Sequence, residues 1–144
     1  MTPDAGPRLI GWKERVEFPD WGLRRVKVKI DTGARTWALG VAGCELTEGG
    51  TVAVLRLAPY RRNPDRQTVV RAAVLDTVVV CDSGGHRQAR PLIETTVRLG
   101  PVTKVVRLTV TDRSTMLFPV ILGRAALAGD FVVDVGRKYV LRGQ

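Results

Sequence analysis

Apolar and polar positions alternate along most of this chain. From Leu23 to Ile30, Val26, Val28 and Ile30 alternate with Arg25, Lys27 and Lys29, a period of two that predicts a strand with one buried face. Leu9 to Phe18 reads as a preceding strand, separated from it by a turn at Pro19-Asp20-Trp21-Gly22. Thr36 to Val41 is short and ambiguous. Thr51 to Ala58 alternates again, with Val52, Val54 and Leu57 set against Ala53 and Arg56 and a slip at Leu55. Pro59 to Gln67 is polar and predicts a loop or a wide hairpin. Val69 to Cys81 and Arg87 to Leu99 form the arms of a long hairpin whose turn, Asp82-Ser83-Gly84-Gly85-His86, has a Gly-Gly tip. Gly100-Pro101 turns the chain into a strand from Lys104 to Thr111, with Val106, Leu108 and Val110 on one face and Val105, Arg107, Thr109 and Thr111 on the other. After a loop, Phe118 to Leu122 is a short strand. Gly123 to Gly129 carries helix formers and a glycine stop, which predicts one or two helical turns. Phe131 to Val135 and Lys138 to Leu141 close the chain as strands around a turn at Gly136. The expected class is all-β, barrel-like or sandwich-like, with one short helix near the C-terminus. No repeat, linker or low-complexity tract divides it, so residues 1–144 are expected to form a single domain.

The strand ending at Ile30 runs directly into Asp31-Thr32-Gly33-Ala34. A carboxylate at a strand end, held by a tight turn with a hydroxyl and a glycine, is what an aspartic peptidase requires. Alone, the tripeptide is also an ordinary turn. Composition narrows the alternatives. The two cysteines, Cys44 and Cys81, form no Cys-x-x-Cys pair, and His86 is the one histidine. A zinc site with three or four ligands is therefore not expected. There is no phosphate-binding Gly-x-x-x-x-Gly-Lys loop for a nucleotide. No apolar run approaches the length of a membrane-spanning helix, and Met1 to Gly11 lacks a secretory h-region. A cytoplasmic location, with reduced thiols, is the expectation. The formal net charge of +9, carried mostly by arginine, attracts anions. It fits a nucleic acid, an acidic peptide, or a solvated basic surface without a specific partner.

Three elements occur in order: the strand into Asp31-Thr32-Gly33-Ala34, the hairpin with the Gly84-Gly85 tip, and Ile121-Leu122-Gly123-Arg124 leading into the helix. The order resembles that of retroviral-type aspartic proteases, the retropepsins. The similarity is closer to a bacterial retropepsin-like (RimB-like) family whose members are often labelled ATP-dependent zinc proteases. It rests on Gly11-Trp12-Lys13-Glu14, Lys29 to Thr36, Ser83 to Gln88, and Ile121 to Gly129 followed by Phe131-Val132-Val133-Asp134, and covers nearly the whole chain. The resemblance implies a closed β-barrel with Asp31, Thr32 and Gly33 as the catalytic loop and a glycine-tipped flap over the substrate. Too few zinc ligands and the lack of a phosphate loop argue against the label, and no cofactor or metal is expected. One Asp-Thr-Gly per chain implies a homodimer with Asp31 from each subunit at the two-fold axis.

Val79 to Gly84 also reads as an apolar run into Asp82-Ser83-Gly84, but it lies too close to Asp31 to close a second lobe, and Asp82 is taken as a turn residue. In this family Asp-Thr-Gly-Ala-Arg-Thr is usually followed by Ser-Ala-Leu-His. Here the chain continues Trp37-Ala38-Leu39-Gly40, a change able to reshape a subsite or a partner contact. The expected substrate-binding residues are Ala34, Arg35, Gly84, Gly85, His86, Arg87 and Arg90. Arginines bind carboxylates bidentately, so acidic peptides are the expected substrates, and the resemblance, through relatives associated with a glutamate-ligating enzyme, implies poly-glutamate-like ones; Arg35 equally suits an ion pair within its own subunit. The alternatives are a non-catalytic basic barrel that binds RNA or a ribosomal surface, and a catalytically inactive regulator of a glutamate-ligating enzyme.

Overall fold

The computed structural model describes residues 6–33, 37–60, 63, 65–81, 84–112 and 119–141. Eleven strands, one short α-helix and two single-turn 3-10 helices (Pro19–Trp21 and Glu48–Gly50) are present among them. The barrel is built from β2 (Lys13–Phe18), β3 (Leu23–Ile30), β10 (Val120–Leu122), β4 (Trp37–Val41), β9 (Val102–Asp112) and β8 (Arg87–Leu99), in that spatial order. Glu17 of β2 pairs with Arg98 of β8 and closes the ring. β7 (Thr68–Cys81), β6 (Val52–Leu57) and β5 (Gly43–Thr47) continue the sheet outward from β8. A separate two-stranded parallel sheet joins β1 (Arg8–Gly11) to β11 (Phe131–Asp134). The helix, α1, spans Arg124–Leu127.

The alternation read from the sequence is what fills the barrel. Val26, Val28 and Ile30 of β3 and Val106, Leu108 and Val110 of β9 point inward and are buried, with Phe18, Ile93, Val97, Leu99, Val120 and Leu122. Each such aliphatic or aromatic side chain contributes about 1.5–3 kcal/mol when fully removed from water. The slip assigned at Leu55 does not occur. Ala53, Leu55 and Leu57 are the inward set of β6, and Val52 and Val54 lie half-buried on the other face, because the small Ala53 takes a core position that larger residues usually mark. Trp37 is likewise a core residue, 3% exposed, and its carbonyl accepts a hydrogen bond from the Thr109 hydroxyl at 3.1 Å.

Three segments differ from expectation. Leu9 to Phe18 is two strands, broken at Trp12. β5 is a strand that the hydrophobic pattern does not mark, since it is an exposed edge containing Cys44 and Glu45. Lys138 to Leu141 is not a strand. Its backbone is tied down instead by Glu14, a carboxylate only 1% exposed among the core residues of β2. Glu14 accepts hydrogen bonds from the amides of Gly11 (2.7 Å), Val140 (2.9 Å) and Leu141 (3.2 Å). The strap passes so close to Gly11 that a Cβ there would lie 2.4 Å from the Arg137 carbonyl oxygen. This is the contact that requires glycine in Gly11-Trp12-Lys13-Glu14.

Candidate active site

The parallel pairing of β10 with β3 and its antiparallel pairing with β4 insert β10 between two strands that are consecutive in the chain. The connection from β3 to β4 therefore starts at the C-terminal end of β10, and this connection carries Asp31-Thr32-Gly33. The Asp31 amide donates to the Leu122 carbonyl at 2.9 Å, extending the β3–β10 ladder by one bond. The Gly33 amide donates to Asp31 Oδ1 at 3.0 Å, an Asx turn that orients the carboxylate. Arg124, the first residue of α1, reaches back, and its Nη1 donates to the carbonyls of Thr32 (3.2 Å) and Gly33 (3.1 Å). Asp31 is half-buried, and Thr32 and Gly33 are exposed. The loop is thus fixed by backbone on one side and by a guanidinium on the other, and one edge of its carboxylate is oriented toward the chain's own turn.

Arg124→Ala is expected to lower stability by about 1–2 kcal/mol and to speed amide exchange at Gly33 roughly tenfold. Thermal unfolding and hydrogen exchange measure the two effects. Unchanged exchange at Gly33 would mean that the guanidinium does not hold the loop.

Ala34 and Arg35 lie outside the described residues, as do Asp82 and Ser83. The remaining expected substrate-binding residues sit on the β7–β8 hairpin. Gly84, Gly85, His86 and Arg87 are exposed at or beside its tip, and Gly85 has φ +83°, a turn conformation suited to glycine. Arg90 is half-buried on the arm, and its Nε donates to Gln88 Oε1 at 3.1 Å.

The hairpin extends beyond the β8–β9 ladder. The β8–β9 ladder ends at Leu92/Thr109, while β7–β8 pairing continues to Cys81/Arg87. At that level the register shifts between Val74 and Asp76, leaving Leu75 as a bulge. Bulges bend and twist a strand. Opposite Thr77 stands Pro91, which has no amide to donate. The Thr77 carbonyl therefore has no ladder donor from Pro91, and the Thr77 amide donates to its neighbour, Asp76 Oδ1, at 2.7 Å. The hairpin and its tip are legible in the sequence but this bulge is not; its signal is the Asp76-Thr77 pair facing a proline.

Where β8 leaves β9, a cavity of about 300 Å³ opens, lined by Val41 to Cys44, Gln88 to Pro91, Val110 and Thr111. Although Cys44 lies on an exposed edge, partial desolvation of its thiol beside the cavity, with the charge of Glu45, raises its pKa above the ordinary value. Its alkylation by iodoacetamide is therefore expected to be slower at neutral pH than that of free cysteine, because less of it is thiolate. The midpoint of its rate–pH profile should be displaced upward, and a midpoint at or below that of free cysteine would contradict this. Among the described residues no three or more His, Cys, Asp or Glu side chains come together as a metal site, and no helix is long and apolar enough to cross a membrane.

A closed six-stranded barrel, with an aspartate loop hung on an inserted strand and a long hairpin, defines the retropepsin-like class of fold. The chain belongs to the RimB-like family, described as "Retropepsin-like aspartic endopeptidase RimB", whose model matches residues 9–144. Among curated proteins it is 27% identical over 136 residues to a probable alpha-L-glutamate ligase of Desulfotalea psychrophila, covering 93% of this chain and 29% of that protein. It is 28% identical over 137 residues to one of Shewanella pealeana, covering 92% and 30%. The chain thus spans about three-tenths of the length of these relatives. A solved structure of a Legionella pneumophila protein of unknown function (DUF785) shares the fold, with a TM-score of 0.75, 19% identity, and coverage of 94% of this chain and 98% of that one.

Proposed function

We propose that this chain is an aspartic endopeptidase, active as a homodimer, that cleaves glutamate-rich peptides. The observation that carries the proposal is the Asp31 loop. Its carboxylate follows a buried strand, its backbone is bonded to Leu122, and its turn is braced by Arg124, in a chain belonging to a family described as retropepsin-like aspartic endopeptidases. Hydrolysis by this class of site needs two carboxylates about 3 Å apart, which cannot both ionise and so share one proton. One accepts a proton from the attacking water while the other, protonated, polarises the scissile carbonyl. The sequence holds one Asp-Thr-Gly, so the second carboxylate comes from Asp31 of another copy across a two-fold axis. The net charge of +9 and the placement of His86, Arg87 and Arg90 on the hairpin support an acidic substrate.

A second reading is favoured by the names of the curated relatives. This segment recurs within longer proteins called probable alpha-L-glutamate ligases, which supports a non-catalytic role as a regulatory partner of such a ligase.

Incubating wild type and Asp31→Asn with glutamate-tailed and neutral peptides across pH separates the readings. The peptidase reading expects cleavage by wild type alone, with preference for the acidic tail. Equal cleavage by both proteins, or by neither, would defeat it.

A further inference from the structure

On the outer face of the barrel, the β2–β3 ladder sets Lys13 opposite Lys29 and Arg15 opposite Lys27. Each alternates with an inward residue, among them Glu14, Val16, Val26, Val28 and Ile30, so the four cations share one surface. Facing side chains in such a ladder stand about 5 Å apart at Cβ, and same-face neighbours along a strand about 7 Å. Like charges directly opposite one another destabilise a sheet. Among the described residues, no carboxylate forms an ion pair with Arg15, Lys27 or Lys29. Glu17, the next outward residue of β2, lies across from Arg98 of β8. The C-terminal strap adds the exposed Arg137 and Lys138 at the edge of the patch, held there by bonds from the Trp12 amide to the Arg137 carbonyl and from the Tyr139 amide to the Lys13 carbonyl.

The chain therefore keeps like charges facing one another at Arg15 and Lys27, with Lys29 beside them and Lys13 completing a two-by-two grid of cations. We propose that this outer face of β2 and β3 is an exosite that binds an extended acidic polypeptide. As a substrate tether it rests on the peptidase reading above, while the binding itself does not. An extended chain presents alternate side chains on one face every 7 Å or so, which matches the separations of Lys27 from Lys29 and of Lys13 from Arg15. The patch abuts the candidate active site. Lys29 lies two residues before Asp31, and the Ile30 amide between them donates to the Trp12 carbonyl. The local aromatic rings argue against single-stranded RNA, whose binders pair a basic groove with aromatic faces on which bases stack. Here Tyr139 is engaged by Arg15, with Cζ 4.1 Å from the ring centroid, and by Lys13, with Nζ at 5.5 Å. Trp12 also lies under Lys13 Nζ, at 5.6 Å.

The test measures binding of a fluorescent oligo-glutamate peptide by anisotropy, using Asp31→Asn protein so that nothing is cleaved. Adding Arg15→Gln, Lys27→Gln and Lys29→Gln together is expected to raise Kd at least about tenfold and to flatten its salt dependence. A control that removes the same charge elsewhere, Arg56→Gln with Arg71→Gln and Arg107→Gln, is expected to change Kd less than about threefold. Lys27→Gln with Lys29→Gln, which leaves the Arg15–Tyr139 contact intact, should weaken binding in the same direction and guards against a misfolded triple variant. Equal loss in the control, no oligo-glutamate binding at low salt, or tighter binding of single-stranded RNA through the same three residues would overturn the exosite. Binding that depends on the patch, without cleavage by wild type, would sink the peptidase reading and leave the exosite standing. Cleavage of glutamate tails with binding indifferent to the patch would do the reverse.

Discussion

Asp31→Asn is expected to lower the hydrolysis rate by about a thousandfold or more while leaving the fold intact. General acid–base catalysis by a positioned group contributes about 10²–10⁴ in rate, and in a symmetric dimer one substitution removes both members of the pair. Asparagine keeps an oxygen to accept the Gly33 amide, and the bond from the Asp31 amide to Leu122 is backbone, so the loop should hold its shape. Thermal unfolding within a few degrees of wild type, together with lost turnover, is the expected pattern. Retained turnover would remove Asp31 from the chemistry.

The largest effect on stability is expected at Glu14. Its carboxylate satisfies three backbone amides and anchors the C-terminal strap to the start of the barrel. Glu14→Ala leaves those donors without their acceptor in a site that is 1% exposed. Hydrogen bonds to a charged group contribute about 1.5–3 kcal/mol each, and unsatisfied buried donors cost about 1–3 kcal/mol each. With partial relaxation and water entry, the loss should be about 4 kcal/mol, or roughly 10–15 °C in Tm for a domain of this size. Glu14→Gln keeps one acceptor oxygen but turns an amino group toward one of the amide donors, so it should lie about halfway. A Tm for Glu14→Ala within about 3 °C of wild type would show that the clamp contributes little.

Glu14 also illustrates how far the sequence is legible. Its position has the same parity as Val16 and Phe18, so the period of two places it inward, and a charged residue in an inward place is a signal for buried backbone partners. Those partners come from the other end of the chain, and no local pattern identifies them. The barrel strands with clean alternation, β3 and β9, read correctly because burial of one face imposes the period. β5 escaped because an exposed edge has no buried face to impose one. β6 misled because Ala53 occupies an inward place where a larger residue is expected. Of the site, the Asp31 loop, the hairpin tip and the Arg124 segment were visible as local motifs. The insertion of β10 between β3 and β4, the bend at Leu75, and the grid of cations on β2 and β3 depend on strand register, which emerges only from the assembled sheet.

In the proposed homodimer the braced loop and the hairpin of one chain form half of a site, and a second chain completes it. Subunit mixing tests this most directly. Wild type and Asp31→Asn, combined in equal amounts and allowed to exchange, should show about one quarter of the activity of the same total concentration of wild type, because only dimers with two copies of Asp31 turn over. About one half, under conditions where exchange of tagged subunits is verified, would mean that each chain acts alone and would contradict the shared site.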